Sequence, residues 1–215
     1  MVLCAFDGTW NKDEEIEVKK RTNVVRFRDL YESATKPIYY PGPGNSLTSN
    51  EKGLLRLFNK YAGGAVAGEA GIIIRRVYRN LCLNYSEEDE EIDIIGFSRG
   101  AAIALSFLWY MQRHGLRVAG SNTPITPKIR FVGLFDTVFF LMADLALPQV
   151  EQIKVRAIRY PFLRALTGNP DLSYPPISSR PFHALSLHDR RWAYYPARIS
   201  QAHEVWFAGF HRDVG

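Results

Sequence analysis

Hydrophobic residues along this chain fall into short continuous runs and longer stretches where they recur every three or four positions. The runs MVLCAF (1–6), PIYY (37–40), EIDIIGF (91–97), KIRFVGLFD (128–136), FHALSL (182–187) and EVWFAG (204–209) have the length and the β-branched or aromatic content of buried strands. Helical spacing predicts a helix capped by Thr22 or Asn23 and running to about residue 31, with Val24, Phe27, Leu30 and Tyr31 on one face. It predicts a second over 53–85 with Ile73, Ile74, Val77 and Leu81 as its stripe, a third from the turn after residue 97 to Arg113, and a fourth over 148–166. Within the second, YAGGAVAGEAG (61–71) reads as a loosened stretch, because an interior glycine costs a helix about 1 kcal/mol. Charged residues at 12–21, Gly/Asn/Ser-rich residues at 44–50 and a Pro-rich segment at 167–181 are expected to be loops. Strands alternating with helices specify a mostly parallel central sheet with helices on both faces, and 215 residues suit a single domain.

The sharpest junction in this pattern is Gly96-Phe97-Ser98-Arg99-Gly100, between a buried strand and a long apolar helix. G-x-S-x-G in that setting is the nucleophile elbow of α/β-hydrolases. The turn is expected to strain the Ser98 backbone and lift its hydroxyl above the sheet edge, while the two glycines let strand and helix approach. A serine that merely shapes the turn is the alternative, and the strand-turn-helix context favours the nucleophile.

Composition narrows the class. A content of 47% hydrophobic and 23% charged residues is ordinary for a soluble globular protein. Cys4 and Cys82 both lie in apolar segments and are expected to be buried, which fits a reducing compartment rather than a disulfide framework. With no C-x-x-C and no H-E-x-x-H, neither a metal nor a cofactor is expected. The net charge of +5 raises the question of nucleic acid. The basic residues are scattered, however, and no basic run is interleaved with stacking aromatics, so nucleic-acid binding is not expected. A mildly positive surface suits anionic membranes or phosphate-bearing substrates instead. The N-terminus MVLCAFDGTW lacks the charged start and the long apolar run of a signal peptide. The most apolar stretch, 131–147, is interrupted by Asp136 and Asp144 and followed by Pro148, so a spanning helix is not expected. The expectation is a protein made soluble in the cytoplasm, with any export by a route that needs no cleaved signal.

A serine nucleophile needs a base in hydrogen-bond reach and an acid to orient that base. In α/β-hydrolases these follow in the order serine, acid, histidine, each on a loop after a later strand. Asp136 ends the strand 128–136 and His211 follows the last strand, so both stand where sites form, outside the carboxyl ends of parallel strands. His183 and His188 flank another strand and remain rival bases; Asp213 and Asp144 are rival acids, Asp213 lying close to His211 for the usual order. His114 and His203 read as structural. The oxyanion hole would use the backbone N–H of Arg99 and a second N–H from the Asp7-Gly8-Thr9 turn, with Gly8 and Thr9 as candidates. Asp7 either takes part or only organises that turn through its side chain. The Arg99 side chain is open to a local salt bridge or to a substrate phosphate. The DGT at 7–9 also occurs in haloacid-dehalogenase phosphatases, but their nucleophilic aspartate would fall at Ala5, which excludes that chemistry.

The pieces FDGTWN (6–11), TNVVR (22–26), YYPGPG (39–44), GFSRGA (96–101), FVGLFDTV (131–138), HALSLHDRR (183–191) and EVWFAGFHRDVG (204–215) together resemble the catalytic domain of the first class of type VI secretion lipase effectors and its relatives. The resemblance covers nearly the whole chain. It implies an α/β-hydrolase fold, a Ser98–Asp136–His211 triad and the cleavage of acyl esters of glycerophospholipids. It also implies contact with a lipid or membrane surface and an inhibitory or immunity protein as partner. The family pattern continues past DVG, whereas this chain stops at Gly215. The expectations are therefore a fragment or a minimal form, and a His211 loop that is poorly supported. Residues 139–142 are a candidate acyl groove, a core helix being the alternative. The competing functional reading is a hydrolase-like interaction module whose site is incomplete.

Overall fold

The computed structural model describes residues 1–9, 21–43, 65–85, 91–118, 121–138, 174–176, 178–191, 194 and 197–215. Among them six strands, β1 (Val2–Phe6), β2 (Ile38–Tyr40), β3 (Glu91–Phe97), β4 (Lys128–Phe135), β5 (Phe182–Ser186) and β6 (His203–Phe207), form one sheet in the order β2-β1-β3-β4-β5-β6. Every neighbouring pair is parallel. The helices are α1 (Asn23–Asp29), α2 (Ala65–Asn84), α3 (Arg99–His114) and the short α4 (His211–Val214). This is an α/β-hydrolase-like architecture.

The central strands are mostly apolar because both of their faces are covered, Glu91 and Asp93 on β3 and Lys128 and Arg130 on β4 being the charged exceptions. Val2, Cys4 and Phe6 of β1 and Ile92 and Ile94 of β3 pack in one cluster with Ile73, Ile74, Val77 and Leu81 of α2 and with Ala101, Ala104, Leu105 and Leu108 of α3. The alternate residues Leu3, Ala5, Ile95 and Phe97 form a second cluster with Val24 of α1, to which Phe27 and Tyr31 add their rings. The stripe expected on α2 is thus the one buried. Cys4 is buried and Cys82 half-buried, and burial pushes the Cys4 thiol up to about 12.

Three local expectations need correction or refinement. Thr22 is the cap of α1, its Oγ1 accepting from Val25 N–H at 3.3 Å. The helix ends at Asp29 rather than near residue 31, so Leu30 lies past its last turn and is 82% exposed instead of packed. Tyr31 still turns inward, donating to Asp93 Oδ2 at 2.7 Å. Residues 65–71 are continuous helix, not a loosened stretch. Ala70 and Gly71 are buried there, and packing of these small residues outweighs the glycine penalty. The predicted loops at 12–20 and 44–50, the helical residues 53–64, the groove candidate 139–142, Asp144, the helix 148–166 and the loop residues 167–173 lie outside the described residues. Among the described residues no helix is long and apolar enough to cross a membrane.

Candidate active site

Three parallel strands, β3, β4 and β5, end side by side, and the residues that follow β3 and β4 are each bonded to the neighbouring strand end. Ser98, after β3, has φ 57° and ψ −123°, a backbone conformation that costs a non-glycine residue about 1–3 kcal/mol. The elbow is held by Ser98 N–H to Phe135 O at 2.8 Å and by Val138 N–H to Ser98 O at 3.1 Å. Its glycines are sterically required. A Cβ on Gly100 would lie 2.3 Å from Asp7 O, and one on Gly96 would lie 2.7 Å from the Ala101 Cα.

Asp136, after β4, also has a positive φ, 42°, and is fully buried. Its N–H reaches across to Ala184 O on β5 at 2.7 Å. Its carboxylate accepts from Ser186 N–H (Oδ1, 2.8 Å) and from the Ser186 hydroxyl (Oδ2, 2.8 Å). Oδ2 also lies 2.6 Å from His211 Nδ1. His211 Nε2 is in turn 2.8 Å from Ser98 Oγ. The tautomer that satisfies both contacts carries its proton on Nδ1, donating to Asp136, and leaves Nε2 to accept from the serine hydroxyl.

His211 is buried, between the rings of Phe97 (centroids 4.7 Å) and Tyr194 (4.8 Å). Its N–H donates to Asp189 Oδ2 at 3.1 Å. The Arg191 guanidinium, 2.5 Å from the same carboxyl, holds Asp189 well below the usual carboxylate range, at about 2. The end of α4 is bound to the start of α1, through Asn23 N–H to Gly215 O at 2.9 Å and Asn23 Nδ2 to Val214 O at 3.0 Å. The expectation of a poorly supported His211 loop is therefore corrected.

The rival residues are engaged elsewhere. His183 is buried on β5 and accepts from Thr137 N–H through Nε2 at 3.2 Å; burial lowers it to about 4. His188 is exposed, and its Nδ1 accepts from Gly209 N–H at 3.2 Å. Asp213 accepts from Phe210 N–H at 2.8 Å, fixing the first turn of α4. His203 opens β6 on the surface. His114 ends α3, but burial and the neighbouring Arg113 and Arg117 lower its pKa and work against a cation there. Asp7 is a buried hub of the turn after β1: Tyr39 OH donates to it at 2.7 Å, Thr22 Oγ1 at 3.0 Å and Gly8 N–H at 2.7 Å. Burial raises its pKa against these three bonds. The Gly8 N–H is thereby occupied. Thr9 stays in reserve, with its buried Oγ1 bonded to nothing among the described residues.

Sequence reasoning did not single out Ser186, Asp189 or Tyr194, and it named Asn23 only as a candidate helix cap. Ser186 and Asp189 do lie in HALSLHDRR, at and after a strand end, which was the available signal. Among the described residues no group of three or more His, Cys, Asp or Glu is placed to hold a metal ion.

Comparison with known proteins identifies the family. A family model described as the catalytic domain of type VI secretion, Tle1-like phospholipase effectors matches residues 1–126 and 117–215. A search of curated proteins gives no match. Two solved structures are similar over 100% of this chain at 18% identity: an uncharacterized protein from Pseudomonas aeruginosa (TM-score 0.53) and the Tle1 effector bound to the VgrG spike of the type 6 secretion system (TM-score 0.57). This chain spans 41% and 50% of those two chains.

Proposed function

Because this chain belongs to the family of Tle1-like phospholipase effector catalytic domains, we propose that it is a serine hydrolase cleaving carboxylic acyl esters of phospholipids through Ser98, His211 and Asp136. The observation that carries the reading is the unbroken hydrogen-bonded chain from Asp136 through His211 to Ser98, with contacts of 2.6 and 2.8 Å. The strained elbow supports it, since such strain persists where surrounding contacts enforce it for function.

In this mechanism His211 Nε2 takes the Ser98 proton as Oγ attacks the acyl carbon. The carbonyl π pair moves to oxygen, and the Arg99 and Thr9 N–H groups stabilise the oxyanion. Thr9 is preferred to Gly8 because the Gly8 N–H already donates to Asp7. Collapse breaks the bond to the alcohol, which leaves with the proton from Nε2 and deposits the acyl group on Ser98. Water, deprotonated by the same nitrogen, then adds to the acyl carbon, and the Ser98 Oγ–acyl bond breaks as Nε2 returns the proton to Oγ, releasing the fatty acid. Asp136 fixes the Nδ1–H tautomer and stabilises the imidazolium. The Tle1 effector of known structure is bound to a secretion spike, which supports delivery of this chain by the same kind of apparatus. An inhibitory or immunity protein is the partner that this reading entails.

The test is hydrolysis of a water-soluble dihexanoyl phospholipid, with labelling by a fluorophosphonate. Ser98→Ala is expected to fold and to lose activity by about 10³-fold or more, and wild type is expected to label at Ser98. A folded alanine variant with full activity overturns the reading. A folded wild type that neither labels nor cleaves points to the interaction module instead.

A further inference from the structure

Arg99 follows the nucleophile and opens α3. A cation is costly there on three counts. The side chain is half-buried, it stands at the positive end of a 16-residue helix, and no acidic residue occupies the first turn. Among the described residues no hydrogen bond or ion pair holds its guanidinium. The groups that it senses electrostatically are the Tyr194 phenol and, on α2, Glu69. Burial pulls Arg99 below the ordinary arginine value, although a guanidinium stays charged at neutral pH. Buried charges are normally paired, because desolvation costs several kcal/mol.

Tyr194 connects this cation to the triad. Its ring lies 4.8 Å from that of His211, and the Arg191 guanidinium covers it at 4.0 Å. Arg191 is matched in charge by Asp189; Arg99 has no such contact.

We propose that Arg99 is an anion-binding residue of the active site, receiving the phosphodiester of a phospholipid whose acyl ester lies at Ser98. The proposal rests on the ester-hydrolase reading above and adds what selects the substrate. A guanidinium fork matches two phosphate oxygens. In a glycerophospholipid the esters and the phosphate hang on one three-carbon backbone, so a cation one residue from the nucleophile has the phosphate within reach.

Two measurements test it. The first compares kcat/KM for dihexanoyl phosphatidylcholine, below its micellar concentration, with that for dihexanoylglycerol, which lacks only the phosphate head. Arg99→Gln is expected to lower the phosphate-bearing to neutral ratio about tenfold or more, and Arg99→Lys, which keeps the charge without the fork, to fall between. A ratio within about twofold of wild type in Arg99→Gln, or Arg99→Lys no better than Arg99→Gln, overturns the proposal. If Arg99→Gln does not fold, the wild-type ratio must fall as chloride is raised, and a salt-independent ratio overturns it. The second titrates glycerophosphocholine and inorganic phosphate into Ser98→Ala protein, which needs no turnover. Glycerophosphocholine is expected to bind more tightly than inorganic phosphate, and to lose binding when Arg99→Gln is added. Equal binding of the two marks a free-phosphate site and overturns the substrate role. Protein that cleaves no ester refutes the hydrolase reading, while the titration still decides whether Arg99 holds the headgroup.

Discussion

His183 makes the stability of the fold depend on pH in a calculable way. It is fully buried on β5, and its Nε2 accepts from Thr137 N–H at 3.2 Å, in the turn that carries Asp136. The neutral ring therefore has its proton on Nδ1, facing Glu204 Oε1 at 3.5 Å. Burial pushes His183 from 6.5 down to about 4, with the charges of Glu204 and Asp136 opposing and Arg198 assisting. Below pH 6.5 the unfolded chain takes up a proton that the folded chain refuses until about pH 4, so stability falls as the pH drops through that window. The contribution is complete above pH 6.5 and lost below 4. It amounts to about 3 kcal/mol in all, and about 2.4 kcal/mol between pH 7 and 4.5. His183→Gln keeps an acceptor for Thr137 N–H and cannot titrate. Urea unfolding of both proteins at half-unit steps from pH 7 to 4.5 should show wild type losing about 2.4 kcal/mol relative to the variant. Parallel stability curves for the two proteins would refute the assignment of a neutral buried His183.

Two substitutions probe the walls of the site. Gly100→Ala puts a Cβ 2.3 Å from Asp7 O and 2.4 Å from Phe6 O; backbone cannot yield as a flexible side chain would, so α3 must move off β1. A loss of about 1–3 kcal/mol is expected in urea or thermal unfolding, and an unchanged midpoint contradicts the close approach. Ser186→Ala removes the hydroxyl bond to Asp136 Oδ2 but keeps the backbone bond to Oδ1. A fall of about tenfold in kcat with KM unchanged is expected, matching one lost hydrogen bond to a charged group; wild-type kcat would show that Asp136 needs no such positioning.

The strands were legible because a parallel sheet covered on both faces writes itself as largely apolar runs, as in VLCAF and, apart from Glu91 and Asp93, in EIDIIGF. Ser98, Asp136 and His211 stood out for a related reason: each comes just after a run, where side chains leave the sheet at its carboxyl edge. The supporting residues were less visible, because they depend on how strands are staggered. Phe135 pairs with Ala184, which sets Ser186 beyond the end of β4 and beside the Asp136 carboxylate, and nothing local to Ser186 encodes that register. Asp189 likewise matters only once α4 folds back over it. Asp7 was readable as a turn residue, but its bonds come from Thr22 and Tyr39, 15 and 32 residues away. Leu30 misled because an apolar residue at helical spacing says nothing about where the helix stops.

The bond between Asn23 and Val214 joins residues 191 positions apart, and that between Ser98 and His211 spans 113. Contacts of such separation form late, because the entropy of closing a long loop is spent before any of them is made. A ribosome that has delivered β1, β3 and α3 has therefore made a chain with Ser98 on its turn but without His211 beside it. The proposed triad is complete only once residues 211–215 have closed over Phe97 and met the start of α1. For a chain in the family of Tle1-like phospholipase effector catalytic domains, that order delays assembly of the proposed triad until the residues after β6 have been made.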